Sequence, residues 1–81
     1  MRIKVRFFAA LREELGAREM VQELPAGATL QALVQQMAAE CPVLNRGLSS
    51  LHFALNHRYV TLEAVLQDGD EVAFLPPVGG G

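Results

Sequence analysis

The sequence has few of the side chains from which metal sites and nucleophilic active sites are built. Its one cysteine, Cys41, is too few for an internal disulfide or a cysteine-cluster metal site, and such sparse use of cysteine is typical of a reducing cytoplasm. The two histidines, His52 and His57, are five residues apart and lack the spacing of a recognised metal-binding motif. The sequence therefore predicts no bound metal, and a buried, unreactive thiol at Cys41.

Long apolar runs and blocks of like charge are also missing. The net charge is −2 and the charged residues are scattered, so nothing attracts a nucleic-acid backbone. Charges alternate through the first six residues, MRIKVR, and no apolar stretch is long enough to cross a bilayer. We therefore expect a cytoplasmic protein with no nucleic-acid or membrane partner. No phosphate-binding loop or self-sufficient active site is found either.

The first half of the chain predicts two strands and two helices. Every second residue of the first strand is apolar and is expected to face the core, namely Ile3, Val5 and Phe7. Phe8 falls on the opposite face of that strand. A short helix at about 9–15 ends at Gly16, and a second strand covers 19–24.

The main helix is predicted at about 29–41. Thr29 is a suitable N-cap, and Pro42 ends the helix because a proline excludes the helical conformation from the residue before it. One face carries an apolar stripe at helical spacing: Leu30, Leu33, Val34, Met37, Ala38 and Cys41.

The second half predicts short strands joined by turns. Strands at 52–56 and 58–61 meet at an Asn56-His57 hairpin turn, and the second is an edge strand. The remaining elements are a loop with a helical turn at 43–50, one turn of helix at 63–66, a tight turn at 68–70 and a last strand at 71–75.

Together these elements indicate an α+β fold. A mixed sheet of four or five strands, with the first and last strands side by side at its centre, packs on one main helix (about 29–41) plus a short helix (about 9–15). We predict one domain over residues 1–75 and a flexible tail over residues 76–81.

The last eight residues, FLPPVGGG, have the most unusual composition. Pro76 and Pro77 favour an extended course away from the sheet, and glycines without side chains suit a narrow pocket in another protein. A disordered end without function is the alternative. Beside the tail, the outer sheet face is expected to carry a partner-binding apolar patch of Phe8, Ala73 and Leu75, with Val60 near it. Scattered surface hydrophobic residues are the alternative there.

The carboxylate of Gly81 is the group through which such a tail could act. A carboxylate is a poor electrophile, because its charge repels nucleophiles and its oxygen is a bad leaving group. Its conversion to an acyl-adenylate with ATP would let a sulfur or nitrogen nucleophile take the acyl group.

The two ends of the chain carry a family resemblance. MRIKVRFFAALREELG and LQDGDEVAFLPPVGGG resemble the small subunit of molybdopterin synthase, a ubiquitin-like β-grasp sulfur carrier, and the resemblance covers essentially the whole chain. Residues 43–66 are generic. Gly79 is a departure, since the family often has a side chain there.

The resemblance implies a chemical role for the tail. An ATP-dependent E1-like enzyme adenylates Gly81, and a sulfurtransferase system converts it to a thiocarboxylate. Gly80 and Gly81 then enter a larger catalytic subunit and donate sulfur to a cyclic pyranopterin monophosphate. The implied partner-binding residues are Phe8, Leu75, Pro76, Pro77, Val78 and Gly79. The resemblance further implies a heterotetramer, and no cofactor bound by this chain, since the activating enzyme uses the ATP.

Two other functions remain open at this point. One is a β-grasp sulfur carrier for another acceptor, such as thiamine thiazole, tRNA or an amino acid. The other is a ubiquitin-like protein modifier, although Lys4 is the single lysine and the chain could hardly build lysine-linked chains of itself.

Overall fold

The computed structural model describes residues 1–46 and 50–76 and forms a five-stranded mixed sheet with helices on one face. The strands and helices in chain order are β1 (Arg2–Phe7), α1 (Ala9–Leu15), β2 (Glu19–Glu23), α2 (Leu30–Glu40), a 3₁₀ helix (Pro42–Arg46), β3 (His52–Leu55), β4 (Arg58–Val60) and β5 (Glu71–Leu75).

The strand order is β2-β1-β5-β3-β4, which confirms the central position of the first and last strands. β1 and β5 run parallel, whereas every other neighbouring pair is antiparallel. A parallel pair needs a crossover connection, and the chain between β1 and β5 supplies it with α2 and the remaining strands.

The core lies between α2 and the sheet. Its aromatic centre is Phe74 of β5, whose ring meets Phe7 and Phe53 edge-on at centroid distances of 5.8 and 5.1 Å. The predicted stripe of α2 is buried at Leu30, Leu33, Val34, Met37 and Ala38. Cys41 departs from its prediction, because it forms the C-cap of α2 and its side chain is only half-buried.

The predicted ends and turns are largely confirmed. The Thr29 hydroxyl accepts a hydrogen bond from the Ala32 N–H at 3.3 Å, as an N-cap should. Gly16 ends α1 in the left-handed conformation with φ 70°. Asn56 and His57 have φ values of 48° and 73°, the positive values that a type I′ hairpin turn requires.

The helical turn predicted at 63–66 is wrong. Val65 instead bridges Thr29, and the carbonyls of Leu62 and Ala64 accept hydrogen bonds from the Gln31 and Leu30 N–H groups at 3.0 and 2.8 Å. These donors would otherwise be unpaired at the start of α2. The segment therefore supplies hydrogen-bond acceptors to the start of the main helix.

Candidate functional site

The sheet face opposite α2, here called the outer face, carries an apolar patch near the end of β5. Ala73 of β5 pairs with Ala54 of β3, and Ala54 pairs in turn with Tyr59 of β4. The two alanines leave a shallow floor between larger side chains. We call this set the outer patch: Phe8, Ala54, Tyr59, Ala73 and Leu75.

Phe8 occupies a position that its local backbone does not explain. It is the N-cap of α1, with φ −127° and ψ 156°, and no side-chain hydrogen bond caps the helix there. Serine, threonine, aspartate and asparagine are preferred at N-caps because their side chains accept a backbone N–H. Phe8 is half-buried and does not cap the helix, so its side chain is better explained by a role in a contact surface.

Arg6 fixes the surroundings of Phe8. Its guanidinium carbon lies 5.3 Å from the centroid of the Phe8 ring, and its Nη1 lies 3.4 Å from Oε2 of Glu71. The ring face attracts the cation, and the carboxylate also pairs with the guanidinium. Because both partners remain partly exposed, the ion pair orders the patch rather than adding much stability.

Leu75 ends β5 and Pro76 begins the predicted tail, and both are half-buried. Phe7 pairs with Phe74, so Phe8 and Leu75 are the next residues along two parallel strands. The two predicted contact residues therefore lie side by side at the point where the chain leaves the sheet. The other predicted tail residues lie outside the described part of the chain: Pro77, Val78, Gly79, Gly80 and Gly81.

Tyr59, and not Val60, is the residue that β4 contributes to this patch. Val60 pairs with Phe53 and packs against the core, so its placement near the patch is wrong. Tyr59 lies on the outer face with 73% of its surface exposed, and the sequence analysis missed it. The signal was present, because a two-residue turn at Asn56-His57 makes Leu55 and Arg58 a pair and places Tyr59 opposite Ala54.

Within residues 1–46 and 50–76, no group of three or more histidine, cysteine, aspartate or glutamate residues could hold a metal ion. No helix in the same ranges is long and apolar enough to cross a membrane. The arrangement presents an apolar surface where β5 ends, which suits binding of a partner.

This architecture defines a ubiquitin-like β-grasp domain: a sheet with parallel central β1 and β5 that curls around one main helix. The chain belongs to the ThiS family, which matches residues 5–81. The resemblance found at the two ends of the sequence is thereby confirmed along nearly the whole chain.

Two relatives that align along nearly their whole length carry the same name. The molybdopterin synthase sulfur carrier subunit of Chlamydomonas reinhardtii is 43% identical over 83 residues, covering 100% of both chains. The subunit of that name from Escherichia coli K12 is 45% identical over 83 residues, covering 98% of this chain and 99% of the relative.

A solved structure shows the same fold within a complex. The chain matches a component of the complex of subunits 1 and 2 of molybdopterin-converting factor from Helicobacter pylori. The TM-score is 0.75 and the identity 29%, over 100% of both chains.

Proposed function

We propose that this chain is the sulfur-carrier subunit of a molybdopterin synthase. The observation that carries the proposal is the full-length match, at 43 and 45% identity, to two subunits with that name. The Helicobacter pylori complex supports a larger subunit as the partner of this chain. The outer patch at the root of the tail supports docking of that subunit near the terminus.

In this proposal the reacting group is the Gly81 carboxylate. An E1-like enzyme transfers AMP from ATP to the carboxylate and releases pyrophosphate. A cysteine persulfide of a sulfurtransferase then displaces AMP and forms an acyl disulfide. A second thiol cleaves the S–S bond, which leaves a thiocarboxylate on Gly81 and a disulfide on the sulfurtransferase. That sulfur bonds to a cyclic pyranopterin monophosphate, and water then hydrolyses the acyl–sulfur bond and restores the carboxylate. Two rounds supply the two sulfur atoms of a dithiolene. The chain binds no cofactor of its own in this scheme.

The rest of the chain brings the tail to the larger subunit. Phe8, Leu75 and Tyr59 contact that subunit in the proposed complex, a heterotetramer. Pro76 and Pro77 direct Val78 to Gly81 away from the sheet, and docking raises the effective concentration of sulfur at the acceptor. We expect this chemistry in the cytoplasm, where the single cysteine would stay reduced.

Intact-mass spectrometry tests the chemistry directly. After incubation with the activating enzyme, ATP and a sulfur donor, the mass should show one oxygen replaced by sulfur, located on the C-terminal peptide. A chain that lacks Gly81 and a reaction without ATP are the controls, and both should keep their original mass. An unchanged mass in the complete reaction would refute the sulfur-carrier proposal.

The acceptor is tested in a second step. Molybdopterin should form when the thiocarboxylate form is mixed with the large subunit and the cyclic pyranopterin monophosphate. The variant Gly80→Leu should fold normally but transfer no sulfur, because its side chain obstructs a narrow channel. Sulfur transfer to a thiazole precursor, a tRNA or an amino-acid acceptor instead of the pterin would assign the chain to another carrier pathway.

A further inference from the structure

A depression opens at the tail end of the sheet, beside the outer patch. Its volume is about 540 Å³, within the range of about 300–1,000 Å³ found for small-ligand pockets. It lies where β3 begins and β4 ends. His52, which lines it, pairs directly with Leu75 at the root of the tail. The depression therefore adjoins the strand pair at which the tail begins.

Both apolar and polar residues line the depression. The less exposed lining residues are all apolar and belong to the core or pack against it: Leu51, Phe53 and Val60. Tyr59 contributes an aromatic ring that is 73% exposed, and Glu63 contributes a carboxylate. Such a site favours a side chain with an apolar stem and a polar, planar head.

The charge of the depression is negative and uncompensated among its own residues. Of the described residues that line it, Glu63 is the one acid, and none is a lysine or arginine. Hydrogen bonds from the Thr61 side chain and from the Glu63 backbone lower the pKa of Glu63, so its carboxylate is ionised at neutral pH. Among the side chains that the structure describes, the one ion pair joins Arg6 to Glu71, and none pairs with Glu63.

We propose that this depression receives an arginine side chain of the large subunit, an inference that rests on the proposed function. The guanidinium stacks on the exposed Tyr59 ring and pairs with the Glu63 carboxylate, while the aliphatic stem contacts Leu62. Arginine fits better than lysine because its planar head can stack on an aromatic ring and donate two parallel hydrogen bonds to one carboxylate. The pair sets the register of docking beside the tail.

Calorimetric titration of the full chain with the large subunit tests this proposal. Glu63→Gln keeps the shape of the side chain and removes its charge, and it should weaken binding about tenfold. Tyr59→Leu keeps an apolar contact without the aromatic ring and should weaken binding several-fold. Glu13→Gln, on the exposed side of α1, is the matched control and should bind like the unaltered chain.

Salt dependence adds a readout that a merely structural effect would not change. The affinity of the unaltered chain should fall more steeply with salt than that of Glu63→Gln. Salt screens the ion pair that the unaltered chain makes and the variant lacks. Equal affinities and equal salt slopes for these two proteins would overturn the inference and leave the proposed function standing. If the unaltered chain fails to bind the large subunit at all, the proposed function fails as well.

A small probe tests the depression without the partner. N-acetyl-arginine methylamide, titrated into the ¹⁵N-labelled full chain, should shift the amide resonances of Tyr59 to Glu63, and Glu63→Gln should reduce those shifts. The citrulline analogue has nearly the same shape without the charge, so it should produce weaker shifts. Equal shifts from the two probes, or none from the arginine probe at saturation, would contradict an arginine site.

Discussion

His57 and Phe8 occupy backbone positions that their side chains do not favour. Only Phe8 contributes its side chain to the candidate site. His57 lies in the hairpin turn with φ 73°, a backbone conformation that is strained for a residue with a Cβ. Phe8 takes an N-cap without capping the helix, but it adds an aromatic ring to the outer patch. The unfavourable choice at Phe8 thus coincides with the candidate site, whereas that at His57 belongs to the turn alone.

His57→Gly should stabilise the domain. Relief of the left-handed strain, worth about 1–2 kcal/mol, exceeds the added flexibility of glycine in the unfolded chain, worth about 0.5–1 kcal/mol. The net gain of about 0.5–1 kcal/mol should raise Tm by several degrees in thermal unfolding followed by circular dichroism.

Gly69→Ala is the converse control for that measurement. Gly69 has φ 87°, and no atom lies within 4 Å of the position its Cβ would take, so the change adds conformational strain without a clash. It should lower the stability by about 1 kcal/mol. A lower Tm for His57→Gly would contradict the strain assigned to the turn.

Among the elements, α2 is held in place by different interactions at its two ends. At its start, the carbonyls of Leu62 and Ala64 pair with its first N–H groups. Toward its end, the Gln36 amide donates to Oε1 of Gln22 at 2.6 Å, and Gln22 donates to Oε1 of Glu40 at 3.3 Å. Gln22 is a buried polar residue, so these bonds offset the cost of removing its amide from water.

Leu33→Ala should test how much the packing of α2 contributes. Leu33 is fully buried in the core, and its truncation leaves a cavity, so the free energy of unfolding should fall by about 2–5 kcal/mol. Gln35→Ala, on the exposed side of the same helix, should change it by less than about 0.5 kcal/mol. Urea unfolding monitored by circular dichroism measures both. Similar losses in the two variants would contradict the assigned orientation of the helix.

At the scale of the whole molecule, the outer patch exists only because four separate segments meet. Phe8 follows β1, Leu75 ends β5, and Ala54 and Tyr59 come from β3 and β4. Long-range pairing brings these residues to one face beside the tail, while the core side of the same sheet is covered by α2. The fold therefore places the proposed docking surface and the stabilising core on opposite faces of the sheet.

Phe8→Asp should weaken the complex with the large subunit while the domain stays folded. The charge disrupts an apolar contact, and a loss of more than about tenfold in affinity is typical of a central aromatic contact. Folding should persist because aspartate is a favourable N-cap residue at this position. Calorimetry gives the affinity, and thermal unfolding gives the stability of the variant.

Val21→Asp is the matched control for the patch. Val21 is also apolar, 50% exposed and on the outer face, but it lies on the edge strand β2 opposite Lys4, away from Leu75. Its affinity for the large subunit should stay within about twofold of the unaltered chain. Unaltered affinity in Phe8→Asp, or equal losses in both variants, would contradict an interface centred at the tail.

The sequence by itself determined most of the elements and the placement of Phe8 and Leu75. Regular apolar spacing specifies β1 and α2 from neighbouring residues alone. The turn at Asn56-His57 and the helix end at Gly16 are likewise specified by local residue types. The strong alternation at both ends of the chain also sufficed to place Phe8 and Leu75 on the outer face, where the structure has them.

Tertiary structure alone decided the features that depend on partners far away in the chain. Residues 63–66 read as a helical turn, but the start of α2, more than 30 residues earlier, takes the carbonyls of Leu62 and Ala64 as hydrogen-bond partners. The assignment of Val60 to the core and Tyr59 to the outer face required the pairing of β4 with β3, since a shift of one residue reverses every side chain. The depression beside Glu63 likewise exists only where those segments meet.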